Sequence, residues 1–244
     1  MSPRCWGTVL ASLALTIASS CTTAGSIPAA TASPTIGGPP VSAYCLAPAA
    51  HARAVHFGGL DGQVIGSGSI GVVLTNGSSN TPCEFATLLP RLEAISEFRT
   101  LLYFYQAMPD SIAAAAQMLR GQGCHEVLLV GQSFGGAQTL IAAVKLKPPP
   151  NAAISLYGES ATDDVRSPSV PTLILASEQD HYFPGATAGQ FFAVIPAAGK
   201  QLKVFPGGLH GADLFDGPQG EEALGLVMSF LRDDASPVTA SPTQ

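Results

Sequence analysis

Residues 126–136 read Glu-Val-Leu-Leu-Val-Gly-Gln-Ser-Phe-Gly-Gly, and this stretch decides the fold. Its first five residues are mostly apolar and predict a buried strand. Residues 135–147 follow with helical character and end at three successive prolines, which cannot continue a helix. The junction of the strand and the helix has the pattern Gly-x-Ser-x-Gly, in which the serine is Ser133. A serine in this position is typical of a nucleophile held on a tight turn.

The two glycines of the pattern, Gly131 and Gly135, suit that interpretation. A turn this tight strains the backbone of the serine, and a side chain at either glycine would collide with the adjoining strand or helix. The first amides of the helix would also point at the substrate, where the helix dipole favours negative charge. The pattern alone is weak evidence in a chain with 26 glycines, because glycines also pack ordinary strand–helix loops. Its meaning depends on the ends of the other predicted strands.

Strand-like and helix-like segments alternate from residue 52 onward. The predicted strands are residues 52–57, 63–65, 70–74, 100–105, 126–130, 152–157, 170–176 and 201–205. The predicted helices are residues 82–97, 110–120, 135–147, 186–197 and 221–232. This alternation predicts an α/β fold, with a mostly parallel central sheet and helices on both faces. The first two strands should form an antiparallel hairpin at the sheet edge, around a turn at residues 59–62.

Two more chemically active side chains follow predicted strands of this sheet. Asp180 comes after the strand at 170–176, and His210 comes after the strand at 201–205. Active sites in such sheets lie at the carboxyl ends of the strands, so both side chains should lie at the same edge as Ser133. Glu178 is the alternative acid, two residues before Asp180.

The region from about residue 52 to residue 232 resembles the α/β-hydrolase fold superfamily. The resemblance is to the nucleophile elbow at 131–135, the segment Pro-Thr-Leu-Ile-Leu-Ala-Ser-Glu-Gln-Asp ending at Asp180, and Gly-Gly-Leu-His-Gly around His210. It implies a three-layer sandwich, and the short stretch between the sixth and seventh strands implies that no cap domain is present. It also implies a catalytic triad of Ser133 as nucleophile, His210 as general base and Asp180 as the acid that orients it. The spacing to Pro184 favours Asp180 over Glu178.

The same resemblance implies an oxyanion hole made by two backbone N–H groups. One belongs to Phe134, the residue after the nucleophile. The other is assigned to Ser78, because Asn76-Gly77 stands where members of the superfamily commonly have His-Gly. An open site without a cap should be lined by aromatic and apolar side chains, namely Phe134, Met108, Tyr182 and Phe183.

The expected activity is hydrolysis of a carboxylic ester, or a related acyl bond, through an acyl-enzyme. The substrate would be a small-molecule acyl ester, and neither a cofactor nor a metal is expected. Thioesterase or dienelactone-hydrolase-like activity would use the same residues, and the fold alone does not rank them. A non-catalytic, surface-anchored binding lipoprotein is the alternative from another class. The complete Ser–Asp–His set argues against it.

The N-terminus predicts export. Residues 1–20 contain Arg4, an apolar run and small residues at 18–20, which is the pattern of a signal peptide. Cys21 follows at once, and Ile-Ala-Ser-Ser-Cys resembles the lipobox of bacterial lipoproteins, in which the cysteine is acylated. We therefore expect a lipoprotein at the outer face of the cell membrane. An ordinary cleavage site, giving a soluble secreted or periplasmic protein, is the alternative.

The rest of the chain divides by composition. Residues 21–44 are uncharged and rich in Thr, Ser, Ala, Pro and Gly, which predicts a disordered tether. Residues 45–232 form the expected hydrolase domain, and residues 233–244 a disordered tail. The net charge of −6 gives no reason to expect binding to nucleic acid, and contact with a membrane should come through the lipid anchor only. We expect a monomer.

The five cysteines fit this organisation. Cys5 leaves with the signal peptide and Cys21 is the predicted lipidation site. Cys124 opens a core strand and is interpreted as a small buried apolar residue. By elimination, Cys45 and Cys83 are the candidate disulfide of an exported protein.

Overall fold

One eight-stranded sheet organises the residues that the structure describes. This computed structural model describes residues 52–78, 81–104, 109–158, 170–196 and 199–233, all of which lie in the compact unit Pro34–Gln244. The strand order in the sheet is β1-β2-β4-β3-β5-β6-β7-β8. The strands are β1 (Arg53–Phe57), β2 (Leu60–Ile65), β3 (Ile70–Thr75), β4 (Phe98–Tyr103), β5 (Glu126–Gln132), β6 (Ala152–Leu156), β7 (Thr172–Ser177) and β8 (Lys200–Phe205).

The strand directions bring the candidate site to one edge. β1 pairs with β2 and β2 with β4 in antiparallel fashion, whereas all pairs from β4 to β8 are parallel. The parallel strands therefore end together, which is where β5, β7 and β8 lead into the segments that contain Ser133, Asp180 and His210. The predicted fold class, α/β with a mostly parallel central sheet and helices on both faces, is confirmed.

The edge hairpin turns two residues earlier than predicted. Gly58 and Gly59 have φ values of +53° and +78°, so they form the turn, and Phe57 pairs with Leu60. Two successive residues with positive φ match the twist of a hairpin, and glycine adopts them without strain.

The described helices cover both faces of the sheet. They are α1 (Leu89–Glu93), α2 (Pro109–Gly121), α3 (Phe134–Lys145), α4 (Gly185–Val194), α5 (Asp213–Asp216) and α6 (Gly220–Asp233). None of these described helices is long and apolar enough to cross a membrane.

The single helix predicted over residues 82–97 is wrong. The chain instead forms a 3₁₀ turn at Pro82–Phe85 and the short helix α1 at Leu89–Glu93. The reason is Pro90, which lacks an N–H and would clash with the carbonyl of residue 86 in a continuous helix. The apolar spacing that suggested a helix is real, since Phe85, Leu88 and Leu92 are fully buried.

The core lies on both sides of the sheet. Val72 and Leu74 of β3 belong to one buried cluster, whereas Val73 between them belongs to the cluster on the opposite face. Such alternation follows from the two-residue period of a strand. Because both faces are covered, the central strands are apolar throughout, and only their carboxyl ends are available for polar chemistry.

Candidate active site

Ser133 lies on a strained turn between β5 and α3. Its backbone has φ of +51° and ψ of −126°, a conformation that residues with a side chain rarely adopt. A Cβ atom at Gly131 would lie 2.2 Å from the carbonyl oxygen of Gly135, and one at Gly135 would lie 2.3 Å from that of Asn76. Neither position has room for a side chain, so the elbow closes only with glycine at both.

A chain of hydrogen bonds joins Ser133, His210 and Asp180. His210 Nε2 is 2.8 Å from Ser133 Oγ, and His210 Nδ1 is 2.6 Å from Asp180 Oδ2. With neutral His210, the Nδ1–H donates to the carboxylate and Nε2 accepts from the serine hydroxyl. The side chain of Asp180 is completely buried, and that of His210 is 23% exposed. Glu178, the alternative acid, is exposed, and the structure places Asp180 on the imidazole instead.

The two residues predicted to supply the oxyanion donors, Phe134 and Ser78, both line the cleft that contains Ser133. Phe134 is the first residue of α3, where N–H groups point out of the helix toward its N-terminal end. Ser78 follows β3 and lines the same cleft. The neighbouring Gly77 N–H donates to Glu84 Oε2 over 2.6 Å, which fixes the start of the Ser78 loop.

The cleft above Ser133 has a volume of about 620 Å³ and is open to solvent. Small and polar residues form part of its lining, and its aromatic and acidic lining residues are Phe134, Tyr157, Tyr182, Phe183, Glu84, Asp213 and Asp216. Phe134 is 42% and Tyr182 68% exposed, and both flank the catalytic edge, whereas Phe183 is fully buried beneath it. Met108, the remaining predicted lining residue, lies outside the described residues.

Sequence comparison places this arrangement in a family. The profile of the dienelactone hydrolase family matches residues 93–222, which is more than half of the chain and includes the elbow, Asp180 and His210. This chain belongs to the dienelactone hydrolase family. No curated protein sequence matched it.

Solved structures similar to this dienelactone hydrolase family member are α/β-hydrolases. A monoacylglycerol lipase from Paleococcus ferrophilus superposes with a TM-score of 0.63 at 12% identity, covering 72% of this chain and 99% of the lipase. An esterase from Pyrococcus furiosus gives 0.64 at 12% identity, covering 75% and 90%. An esterase/lipase from an uncultured bacterium gives 0.64 at 15% identity, covering 84% and 95%. At these identities the likeness establishes the fold, and together with the family it makes this protein an α/β-hydrolase.

Tyr157 packs against His210 in this family member, and sequence reasoning did not single it out. Its ring centroid lies 5.7 Å from that of His210. Ser177 Oγ donates to the carbonyl oxygen of Leu209 over 2.8 Å, so the Tyr157 hydroxyl donates to Ser177 over 2.8 Å. Burial raises the pKa of Tyr157 to about 12, against the opposing effect of the Ser177 hydrogen bond and with a further contribution from the Asp180 charge. Tyr157 therefore stays neutral and remains a donor.

Gln132 and Glu84 were also missed: the side chain of each accepts a hydrogen bond from a backbone N–H in another segment of the chain. The only signal in the sequence was the position of Gln132 beside the nucleophile and the position of Glu84 soon after the Ser78 loop. Neither position has a residue pattern that distinguishes it from an ordinary polar site.

The cysteines divide between the described and undescribed parts of the chain. Cys83 is disulfide-bonded and lines the active-site cleft. Its predicted partner Cys45 and the predicted lipidation site Cys21 lie outside the described residues. Cys124 is a free cysteine and is buried, and burial raises the pKa of its thiol while nearby Arg99 opposes the rise.

Proposed function

We propose that this protein is a serine esterase that hydrolyses a carboxylic ester through an acyl-enzyme on Ser133. One observation carries the proposal: the unbroken hydrogen-bond chain from Ser133 through His210 to Asp180, on a strained elbow at the carboxyl edge of the sheet. A strained serine backbone of this kind persists only where the surrounding structure enforces it, and such strain is common at active sites.

The first half of the reaction acylates the enzyme. His210 Nε2 accepts the proton of Ser133 while Oγ forms a bond to the carbonyl carbon of the ester. The negative charge that develops on the carbonyl oxygen is stabilised by the N–H groups of Phe134 and Ser78. The intermediate then collapses, the bond to the alcohol oxygen breaks, and His210 gives its proton to the departing alcohol. Asp180 accepts from Nδ1–H throughout and stabilises the imidazolium.

The second half repeats this chemistry with water. His210 takes a proton from a water molecule, whose oxygen attacks the acyl carbon, and then returns the proton to Ser133 Oγ as the acid leaves. The commitment of the Gly77 N–H to Glu84 supports Ser78 rather than Gly77 as the second oxyanion donor. The net reaction converts the ester and one water molecule into an acid and an alcohol, and Ser133 and His210 return to their starting states. It needs no oxidant or reductant.

Lactone hydrolysis is the second candidate, and the family match favours it. In a lactone the alcohol stays attached to the acyl group, so the same residues would release one ring-opened product. Thioesters would also react with Ser133 in this way. A non-catalytic binding protein fits less well, since binding does not require Ser133 within 2.8 Å of His210.

Labelling with a fluorophosphonate tests the proposal directly. The purified mature protein should be labelled at one serine, and Ser133→Ala should abolish the label while circular dichroism shows an unchanged fold. Well-folded protein that takes up no label would contradict an activated Ser133 and would favour the binding-protein alternative.

We also propose that the protein is exported and held at the membrane by lipid on Cys21. This rests on the sequence of residues 1–21, in which a charged residue, an apolar run and small residues precede the cysteine. Such an anchor would leave the hydrolase free to meet substrates at the outer face of the membrane.

A further inference from the structure

Asp180 also holds the backbone of Tyr182, whose exposed aromatic ring lies beside His210. Asp180 uses Oδ2 for His210 and uses Oδ1 to accept the backbone N–H of Tyr182 over 2.8 Å. The ring of Tyr182 is tilted by 60° against the imidazole, with 5.0 Å between the two centroids. The placement of Tyr182 is therefore tied to the same carboxylate that orients His210.

Burial of apolar surface does not explain why an aromatic side chain is present at position 182. Tyr182 is 68% exposed, so it removes little apolar surface from water. His210 already has a buried aromatic neighbour in Tyr157, whose hydroxyl is bonded to Ser177. A large, rigid and exposed aromatic side chain with few rotatable bonds is suited to contact a ligand at low entropic cost.

The position of Tyr182 relative to His210 indicates which part of a substrate it would meet. In the proposed reaction His210 Nε2 donates a proton to the departing alcohol oxygen, so that oxygen must come within hydrogen-bonding distance of it. A ring packed against the imidazole therefore borders the alcohol side of the ester. Phe134, by contrast, follows Ser133 directly and begins the helix whose N–H is assigned to the acyl oxygen.

The charge of the residues that line the cleft limits which leaving alcohols it can accept. Glu84, Asp213 and Asp216 line it, and among the described lining residues there is no lysine or arginine. These carboxylates would repel an alcohol that carries a negative charge. A neutral aromatic alcohol avoids that repulsion and gains an offset-stacked or edge-to-face contact with Tyr182 beyond its apolar area.

We propose that Tyr182 forms a leaving-group subsite that takes a neutral aromatic alcohol, a proposal that rests on the esterase function above. During acylation the Ser133 Oγ–carbon bond forms and the bond between the carbonyl carbon and the aromatic alcohol's oxygen breaks. The proton passes from Ser133 through His210 to that oxygen, and the free alcohol departs before water enters. Tyr182 thus acts on acylation and has no role in choosing the acyl group.

Two acetates of matched shape test the subsite. We compare kcat/KM for 2-phenylethyl acetate and 2-cyclohexylethyl acetate, which share the acyl group and have leaving alcohols of similar acidity. The native enzyme should prefer the phenyl ester by about 2- to 12-fold, the range expected for one aromatic pair. Tyr182→Phe should keep the preference and Tyr182→Leu should remove it. Because the result is a ratio within each enzyme, a general loss of rate in a variant cancels.

The acyl side provides the matched control. The ratio of kcat/KM for ethyl 3-phenylpropionate to that for ethyl 3-cyclohexylpropionate should be the same in the native enzyme and in Tyr182→Leu. Equal turnover of the two acetates by the native enzyme, or a phenyl preference that survives Tyr182→Leu, overturns the subsite alone. Absence of turnover of all four esters together with absence of fluorophosphonate labelling overturns the esterase function itself.

Discussion

The side chain of Gln132 accepts a hydrogen bond from the backbone N–H of Ala212, with 3.0 Å between Oε1 and the nitrogen. Gln132 immediately precedes Ser133, and Ala212 lies two residues after His210. The loop closes tightly on this side chain, because a Cβ atom at Gly211, where φ is +59°, would lie only 1.8 Å from Oε1. One buried side-chain amide therefore joins the strand that leads into Ser133 to the loop that contains His210.

Replacing Gln132 should misplace His210. Gln132→Met keeps the approximate size but removes the acceptor, and we expect kcat/KM to fall about 10- to 100-fold, the usual cost of a misplaced catalytic group. Gln132→Glu retains an oxygen at the acceptor position and should recover part of the loss. Steady-state kinetics across pH, with thermal unfolding as a control for folding, measure this. Native-like kinetics in Gln132→Met would show that the bond has no part in positioning His210.

Two substitutions of a carboxylate by the corresponding amide, Asp180→Asn and Glu178→Gln, test which residue is the catalytic acid. Asp180→Asn should lower the turnover of a short ester by about 10³- to 10⁴-fold, because the imidazole would then lose its orienting carboxylate. Glu178→Gln is the control, since Glu178 is exposed and the bond to His210 comes from Asp180. Turnover of an ester with a chromogenic alcohol gives both rates. Loss of activity in Glu178→Gln with near-native Asp180→Asn would transfer the role to Glu178.

All eight predicted strands appear in the sheet near their predicted positions. The inner strands β3 to β7 were predictable because they are buried on both faces and so form short apolar runs in the sequence, whereas the edge strands β1 and β8 are only partly buried. The prediction of a single helix over residues 82–97 was wrong because it relied on apolar spacing, which does not take the missing N–H of Pro90 into account. The hairpin turn was predicted two residues too late because both Gly58-Gly59 and the overlapping segment 59–62 contain glycines that are typical of turns.

The site was predictable only as far as strand ends reveal it. Ser133, Asp180 and His210 each follow a parallel strand, and the structure places their side chains within hydrogen-bonding distance, although their catalytic roles remain predictions. The bond between Gln132 and Ala212 spans 80 residues of sequence, and it depends on how the end of β5 meets the loop after His210 in three dimensions. A buried glutamine or tyrosine has no periodic pattern that predicts its partner.

The proposed lipidation of Cys21 predicts that the protein is found in the membrane fraction of the cell. Cys21→Ala should move it from the membrane fraction to the soluble fraction, because the mature chain would lose its acyl anchor. Cys5→Ala is the matched control, since Cys5 lies in the predicted signal peptide and should leave the distribution unchanged. Fractionation followed by immunoblotting distinguishes the two. Unchanged membrane association of Cys21→Ala would contradict the lipid anchor.

Tyr157 should make the stability of the fold fall at high pH. Its pKa is raised from 10.0 to about 12, first by burial, so the unfolded chain ionises this tyrosine before the folded chain does. Its contribution to the free energy of unfolding is therefore intact below about pH 10 and is lost as the pH rises toward 12. Tyr157→Phe removes the ionisation, so urea denaturation should show a shallower decline of stability over this range than in the native protein. Tyr182→Phe, at an exposed tyrosine, is the control, and equal slopes for Tyr157→Phe and the native protein would contradict the assignment.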